Sequence, residues 1–85
     1  MNKIVYIGRI FDANVDANET LAAAYDTAEA AMDALVDVVN EEGPVLPLDS
    51  ELLLNDAAKI HDAEGVRQYI VSHDEIALTI DRVRV

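Results

Sequence analysis

Residues 26–43 read D-T-A-E-A-A-M-D-A-L-V-D-V-V-N-E-E-G, and this stretch predicts the main helix of the fold. Its apolar residues recur at intervals of three and four, the spacing of one helical face. They are Ala28, Ala31, Met32, Leu35, Val36 and Val39. Asp26 with Glu29 three residues later predicts a capping box, and Gly43 with the following proline predicts the end. We therefore expect an amphipathic helix over residues 27–42.

The opposite face of this helix carries only acidic charge. Its acids are Glu29, Asp33, Asp37, Glu41 and Glu42, and no Lys or Arg accompanies them. Like charges four residues apart destabilise a helix by about 0.2–0.5 kcal/mol per pair, and acids in the last turn oppose the helix dipole. Because the pattern works against helix stability, these five acids are the candidate partner-binding residues.

Length and composition predict one small folded domain with an aliphatic core. The chain has 85 residues, is 52% hydrophobic and contains neither Cys nor Trp. A domain of this size buries about 60–65% of its unfolded surface, so without disulfides its stability is modest and oligomerisation is the common remedy. No apolar run approaches the roughly 18 residues of a membrane span, and acids follow the first apolar run too soon for a signal peptide. We therefore expect a soluble, cytoplasmic protein.

The net charge of −11 is concentrated in the middle of the chain. Residues 1–11 carry +2 and residues 65–85 are neutral, so residues 12–64 hold −13. Such a field repels nucleic acid, anionic membranes and phosphorylated substrates, and it attracts basic partners. The charge therefore favours a protein partner with a basic surface over direct binding of DNA, RNA or a membrane.

The N-terminal quarter of the chain predicts a β-hairpin. Residues 3–11 are mostly β-branched or aromatic, with one interruption at Gly8, as expected of a central strand. Residues 12–19 are a polar segment typical of a loop. Residues 20–25 would form the second strand, although their alanines favour a helix.

The remaining elements are a second helix and a second hairpin. The two prolines in residues 43–48 require an extended connector. Asp49 or Ser50 can then cap a weaker helix that ends at Gly65. The next two strands are residues 66–72 and 76–85, and residues 72–75 form the turn between them. The apolar alternation changes phase in the last strand, which predicts a β-bulge near Asp81 and Arg82.

The predicted order β-β-α-α-β-β favours an α+β fold. We expect a two-layer sandwich, in which a four-stranded antiparallel sheet carries one long and one weaker helix on one face. The acids of the long helix would then face solvent. The second face of the sheet, which the sequence fills with Val, Ile and Tyr, would have no cover. Homodimerisation through that face, or through an exposed edge strand, would supply one.

No arrangement of residues predicts catalysis. The two Ser, three Thr and two Lys form no nucleophile motif, and the three isolated Gly form no phosphate loop. His61-Asp62 and His73-Asp74 are adjacent pairs, whose side chains point apart on a helix or a strand. We therefore interpret them as ordinary structural residues and the protein as a non-enzyme without a cofactor.

The polar loop after the first strand partly matches a calcium-binding loop. The matching residues are Asp12, Asn14, Asp16 and Asn18. The sixth position, Ala17, lacks the turn-permitting glycine, and the twelfth, Ala23, lacks the bidentate glutamate. We therefore predict an acidic hairpin loop without a metal, in which Asp12 and Asp16 are rim contacts for a partner.

The acidic helix face has two interpretations. In one it only keeps the protein soluble, and the ten Asp against two Lys match the bias of halophilic proteins. In the other it mimics nucleic acid, because carboxylates one helical turn apart, about 6 Å, have a spacing of the same order as backbone phosphates. In size, charge and lack of Cys the chain is similar to phage-encoded inhibitors of host defence or repair enzymes, which act by such mimicry.

Two functions follow from these interpretations. The first is an acidic protein-binding module, in the manner of a phage or prophage inhibitor, that occludes a basic, nucleic-acid-binding surface of a host protein. The alternative is a structural or accessory homo-oligomer that assembles through its apolar sheet and uses its acids for solubility.

Overall fold

The computed structural model describes residues 3–13, 17–42, 49–73 and 75–85, which form an α+β fold. The strands are β1 (Ile4–Asp12), β2 (Ala17–Thr20), β3 (Ala58–Asp62), β4 (Gly65–His73) and β5 (Ile76–Arg84). They form one antiparallel sheet in the order β2-β1-β5-β4-β3. The helices are α1 (Ala28–Glu42) and α2 (Ser50–Asp56), which pack into one core against β1, β5 and β4. No helix in the described residues is long and apolar enough to cross a membrane.

The long helix α1 forms where the sequence predicts it, because one of its faces is continuously apolar. Met32 and Leu35 are fully buried against Leu78 and Ile80 of the sheet. The cap differs from the prediction, since the Ala30 N–H donates to Thr27 Oγ1 at 3.1 Å.

Asp26, the predicted cap of α1, instead lies 3.5 Å from Lys3 Nζ in an exposed ion pair. A threonine one residue closer to the helix therefore does the capping. The predicted stop at Gly43 and the connector over residues 43–48 lie outside the described residues.

The second helix ends earlier than predicted, and this adds a fifth strand. Asp49 caps α2 as predicted, since its Oδ1 accepts from the Glu51 N–H at 3.0 Å. Residues 58–62, predicted as helix, form the edge strand β3 and are all exposed. They offer no apolar helix face to bury, whereas in extended form their backbone groups pair with β4. The prediction of four strands was therefore wrong.

Lys59 helps to separate α2 from β3. Its ammonium group donates to the backbone carbonyls of Asn55 and Ala57, both at 3.1 Å. These carbonyls lie at the C-terminal end of α2, where unpaired carbonyl groups and the helix dipole favour a cation. The same lysine is therefore a C-terminal helix partner and an edge-strand residue.

The second strand is shorter and earlier than predicted. β2 covers residues 17–20, so the predicted strand over residues 20–25 contributes only Thr20 to it and, beyond that, one isolated bridge between Tyr25 and Tyr6. The three consecutive alanines in this segment have low strand propensity, which agrees with the loss of regular pairing before Tyr25.

β5 is the central strand of the sheet and contains no bulge in its pairing with β1. Nine residue pairs follow in one register, from Ile76 to Arg84. The predicted bulge at Asp81 and Arg82 is therefore wrong. The apolar alternation changes phase for another reason: Arg82 lies on the helix side of β5, and Val83 lies on the face away from the helices.

A bulge does occur one strand pair away, between β3 and β4. Ile60 pairs with Gln68 and His61 pairs with Val66, which leaves Arg67 as an extra residue in β4. The hairpin that joins these strands ends at Gly65, whose φ of 127° is accessible to few other residues.

The second face of the sheet has no described helix or strand packed against it. Its larger apolar residues, which we call the open sheet face, are Val5, Ile7, Phe11, Ile60, Ile70 and Val83. The tyrosines predicted there are placed differently, because Tyr6 and Tyr69 lie on the helix side and pack against the core. Because only the neighbouring strands cover this face, four of its side chains are partly exposed: Ile7, Phe11, Ile70 and Val83.

Candidate partner-binding face

The predicted binding residues of α1 lie together on its outer surface. We call Glu29, Asp33, Asp37 and Glu41 the acidic row, and all four are exposed. The row is about 18 Å long, since each residue rises about 1.5 Å along a helix. Each four-residue step also turns it by about 40°, so the row winds gently around α1. Glu42 ends the helix, and its side chain lies outside the described part of the structure.

The basic side chains of the protein are engaged away from this row. The described ion pairs are Lys3–Asp26, Arg9–Asp81, Arg82–Asp62 and Arg84–Glu64. Lys59 donates to the end of α2, and Arg67 is the extra residue in the bulge of β4. Within the described residues, no carboxylate of the acidic row has an ion-pair partner. The row is therefore an uncompensated strip of negative charge.

The structure does not show that the predicted rim residues, Asp12 and Asp16, form one surface with the acidic row. Asp12 is half-buried at the end of β1, where it pairs with Ile76. Asp16 lies outside the described residues. The rim contribution of these two acids stays a prediction.

The segment that resembles a calcium loop connects two strands. β1 continues through Asp12, and β2 begins at Ala17, so the flanking helices of an EF-hand are missing. Asn18 pairs with Phe11 inside the hairpin, while Asn14 and Asp16 are not among the described residues. In the parts of the chain that are described, no group of three acidic or histidine side chains is placed to hold a metal ion.

The two histidines are not brought together. His61 is exposed on the edge strand β3 and pairs with Val66, instead of lying on the predicted helix. His73 ends β4 opposite Ile76, and its side chain is outside the described part. The positions therefore do not form a joint site.

Sequence analysis missed an arginine that ties the β3–β4 hairpin to β5. The Arg82 side chain is only 13% exposed, donates from Nη2 to Asp62 and donates from Nη1 to the Val66 carbonyl at 3.2 Å. Arg84 makes a parallel ion pair with Glu64. These partners are 20 residues apart in the chain, so no local pattern could have indicated them.

The same contacts hold the pKa of the Asp62 carboxyl below its ordinary value. The hydrogen bond from Arg82 is the main cause, and the Glu64 N–H adds a second bond at 2.8 Å to Asp62 Oδ1. The ionised carboxylate is therefore the form that the folded hairpin favours.

Asp62→Asn is expected to lower the melting temperature at pH 7, with an effect that shrinks as the pH falls below about 4. A carboxyl whose pKa is lowered by folding stabilises the protein above its unfolded value of about 3.9, and this contribution is lost as the pH falls through the folded value. Melting curves of both proteins between pH 7 and pH 2, followed by circular dichroism, measure the difference. In an Arg82→Met background, Asp62→Asn should have little effect at any pH. An equal loss at every pH in the native background would contradict the ion-pair interpretation.

Neither a protein-family model, nor a curated protein, nor a solved structure was found to match this chain. The physical properties of the surface are therefore the basis for a functional proposal.

Proposed function

We propose that this protein is a non-enzymatic binding module, whose acidic row engages a basic surface that otherwise holds a nucleic-acid backbone. The observation that supports the proposal is the uncompensated charge of the row. Four exposed carboxylates follow one another on a single helix while the described cations are engaged elsewhere.

The row is held rigidly, which favours binding. The opposite side of α1 is anchored by Ala31, Met32 and Leu35, all with zero exposure. A helix fixed in this way loses little backbone freedom when its outer face meets a partner, so more of the interaction free energy is retained as affinity.

The dimensions of the row agree with those of a nucleic-acid strand. Successive carboxylates advance about 6 Å along the helix axis, and phosphates of one strand advance about 3.4 Å per nucleotide along a duplex. One step of the row therefore corresponds to about two nucleotides. A groove with regularly spaced Lys and Arg could accept the row in place of a backbone, and the mechanism would be competitive occlusion, as in the phage-encoded inhibitors that the chain resembles in class.

The double substitution Asp33→Lys and Asp37→Lys is expected to weaken partner binding by about 100-fold or more, because each change turns an attraction into a repulsion. The matched control is Glu51→Lys with Asp56→Lys, which makes the same change in net charge on exposed positions of α2. Each protein is immobilised, incubated with cell lysate and washed at low and at high salt. The captured basic protein is then purified, and its affinity for each variant is measured by calorimetry.

Three results together support the proposal. The captured protein dissociates at high salt, it binds the α2 control nearly as well as the wild type, and a DNA duplex displaces it. Binding that resists salt, that is unaffected by the reversals in the acidic row, or that falls equally in the α2 control would contradict it. The last outcome would show that net charge alone determines the interaction.

A further inference from the structure

We propose that the open sheet face docks a second copy of this chain, so that the protein is a dimer with its two helix layers on the outside. This inference does not depend on the proposed function, since it concerns the opposite side of the molecule.

The carboxylate near the centre of the open sheet face, Asp81, already has two partners. Arg9 Nε lies 2.8 Å from Asp81 Oδ2, and Gln68 Nε2 donates to Asp81 Oδ1 at 2.8 Å. Burial of polar groups is costly mainly when they lose hydrogen bonds without replacement. Because both carboxylate oxygens of Asp81 accept hydrogen bonds within one molecule, a second sheet can cover this carboxylate without leaving its charge unpaired.

The charge distribution selects the second copy and its orientation. Among the paired positions of β1, β4 and β5 that share the open side with Val5 and Ile70, the charged residues are Arg9 and Asp81, which form an ion pair. Lys3 and Glu75 share this side only beyond the ends of the strands. Two molecules of net charge −11 repel each other through their helix layers, which carry the acidic row. Face-to-face contact of the neutral sheets is the arrangement that separates those layers most. A strongly basic partner would favour the helix layer instead.

The face has the area that a weak dimer needs. Three nine-residue strands and two shorter ones, at a strand spacing of about 4.8 Å, give a face of roughly 600 Å². Two such faces together bury roughly 1,200 Å², the lower limit of stable interfaces. Sheets can pack in this way at about 10 Å separation, with side chains interdigitating. The dimer is therefore expected to dissociate in the micromolar range.

Molar mass measured by analytical ultracentrifugation tests the proposal. Between about 1 µM and 1 mM protein, the mass is expected to rise from 9.3 kDa toward twice that value. Thr79→Glu and Ile7→Lys should each keep the mass near 9.3 kDa at concentrations where the native chain is dimeric. Both put a charge on the open sheet face, and both retain folding, because Thr79 pairs with Arg9 and Ile7 pairs with Asp81.

The matched control is Leu52→Glu, which adds a charge on α2 at a position that is 60% exposed. This variant should dimerise like the native chain. Circular dichroism shows that each variant is folded before its mass is interpreted. A mass of 9.3 kDa over the whole concentration range would overturn the proposal. So would a dimer that persists in both sheet-face variants.

Discussion

Gly8→Val is expected to lower the free energy of unfolding by about 3 kcal/mol, which is the upper end of the usual cost of overpacking. A Cβ added at Gly8 would lie only 2.8 Å from both Cγ and Cδ2 of Leu35. Leu35 has zero exposure in the core, so its neighbours leave it little room to move. A domain of this size has a total stability of about 4–13 kcal/mol, so the loss is a large fraction of it. Urea denaturation followed by circular dichroism measures the change.

A double-mutant cycle separates this contact from a general effect on β1. Gly8→Ala is expected to cost about 2 kcal/mol in the native background and much less with Leu35→Ala, which removes the clashing atoms. Leu35→Ala alone should cost about 2–5 kcal/mol, because it leaves a cavity between α1 and the sheet. If Gly8→Ala costs the same in both backgrounds, the steric explanation is wrong and the effect lies in the strand itself.

Asp37→Lys is expected to stabilise the protein by about 1 kcal/mol. Asp37 lies one helical turn from Asp33 on one side and from Glu41 on the other, and both of these pairs repel. The substitution makes both pairs attractive, which changes each by about 0.4–1 kcal/mol, and lysine is also a better helix former than aspartate. Urea denaturation at low salt gives the free energy of unfolding.

Two comparisons identify the cause of the gain from Asp37→Lys. At about 1 M salt, where the screening length is about 3 Å, most of the difference from the native chain should disappear. Glu51→Lys makes the same charge change in the first turn of α2, where the helix dipole opposes a cation, and should give no gain. A destabilised Asp37→Lys would show that the acids of α1 are compensated by a contact within the protein.

Taken with the predicted loss of binding, this gain gives the acidic row a functional signature. A row kept only for solubility should lose nothing specific when one of its acids is reversed. A row kept for a partner should lose affinity while the fold becomes more stable, the trade-off expected where function opposes stability. The two measurements on the same variants therefore distinguish the interpretations.

Local patterns predicted the elements whose stability depends on one continuous apolar face. α1, the strand that became β1, the Asp49 cap of α2 and the last hairpin all occur close to their predicted positions. The exposure of Glu29, Asp33 and Asp37 followed from the same periodicity, because a helix that buries one face must expose the other. The partner-binding role of these acids remains a prediction.

Tertiary structure decided the features that depend on residues distant in the chain. Residues 58–62 became β3 because an extended backbone found a partner in β4, a choice that local propensity cannot determine. The change of apolar alternation in β5 is not a bulge. It arises because Arg82 lies on the helix side of the strand, where it forms an ion pair with Asp62. Gly8, a simple interruption in the sequence, lies where Leu35 of α1 packs too closely for a Cβ at this position. The sequence by itself thus determined which residues form the main helix and its acidic row. Only the packed sheet decided which Lys and Arg side chains form ion pairs elsewhere and therefore do not neutralise that row. Helical periodicity acts over a few residues, but ion pairs and strand order depend on the whole chain.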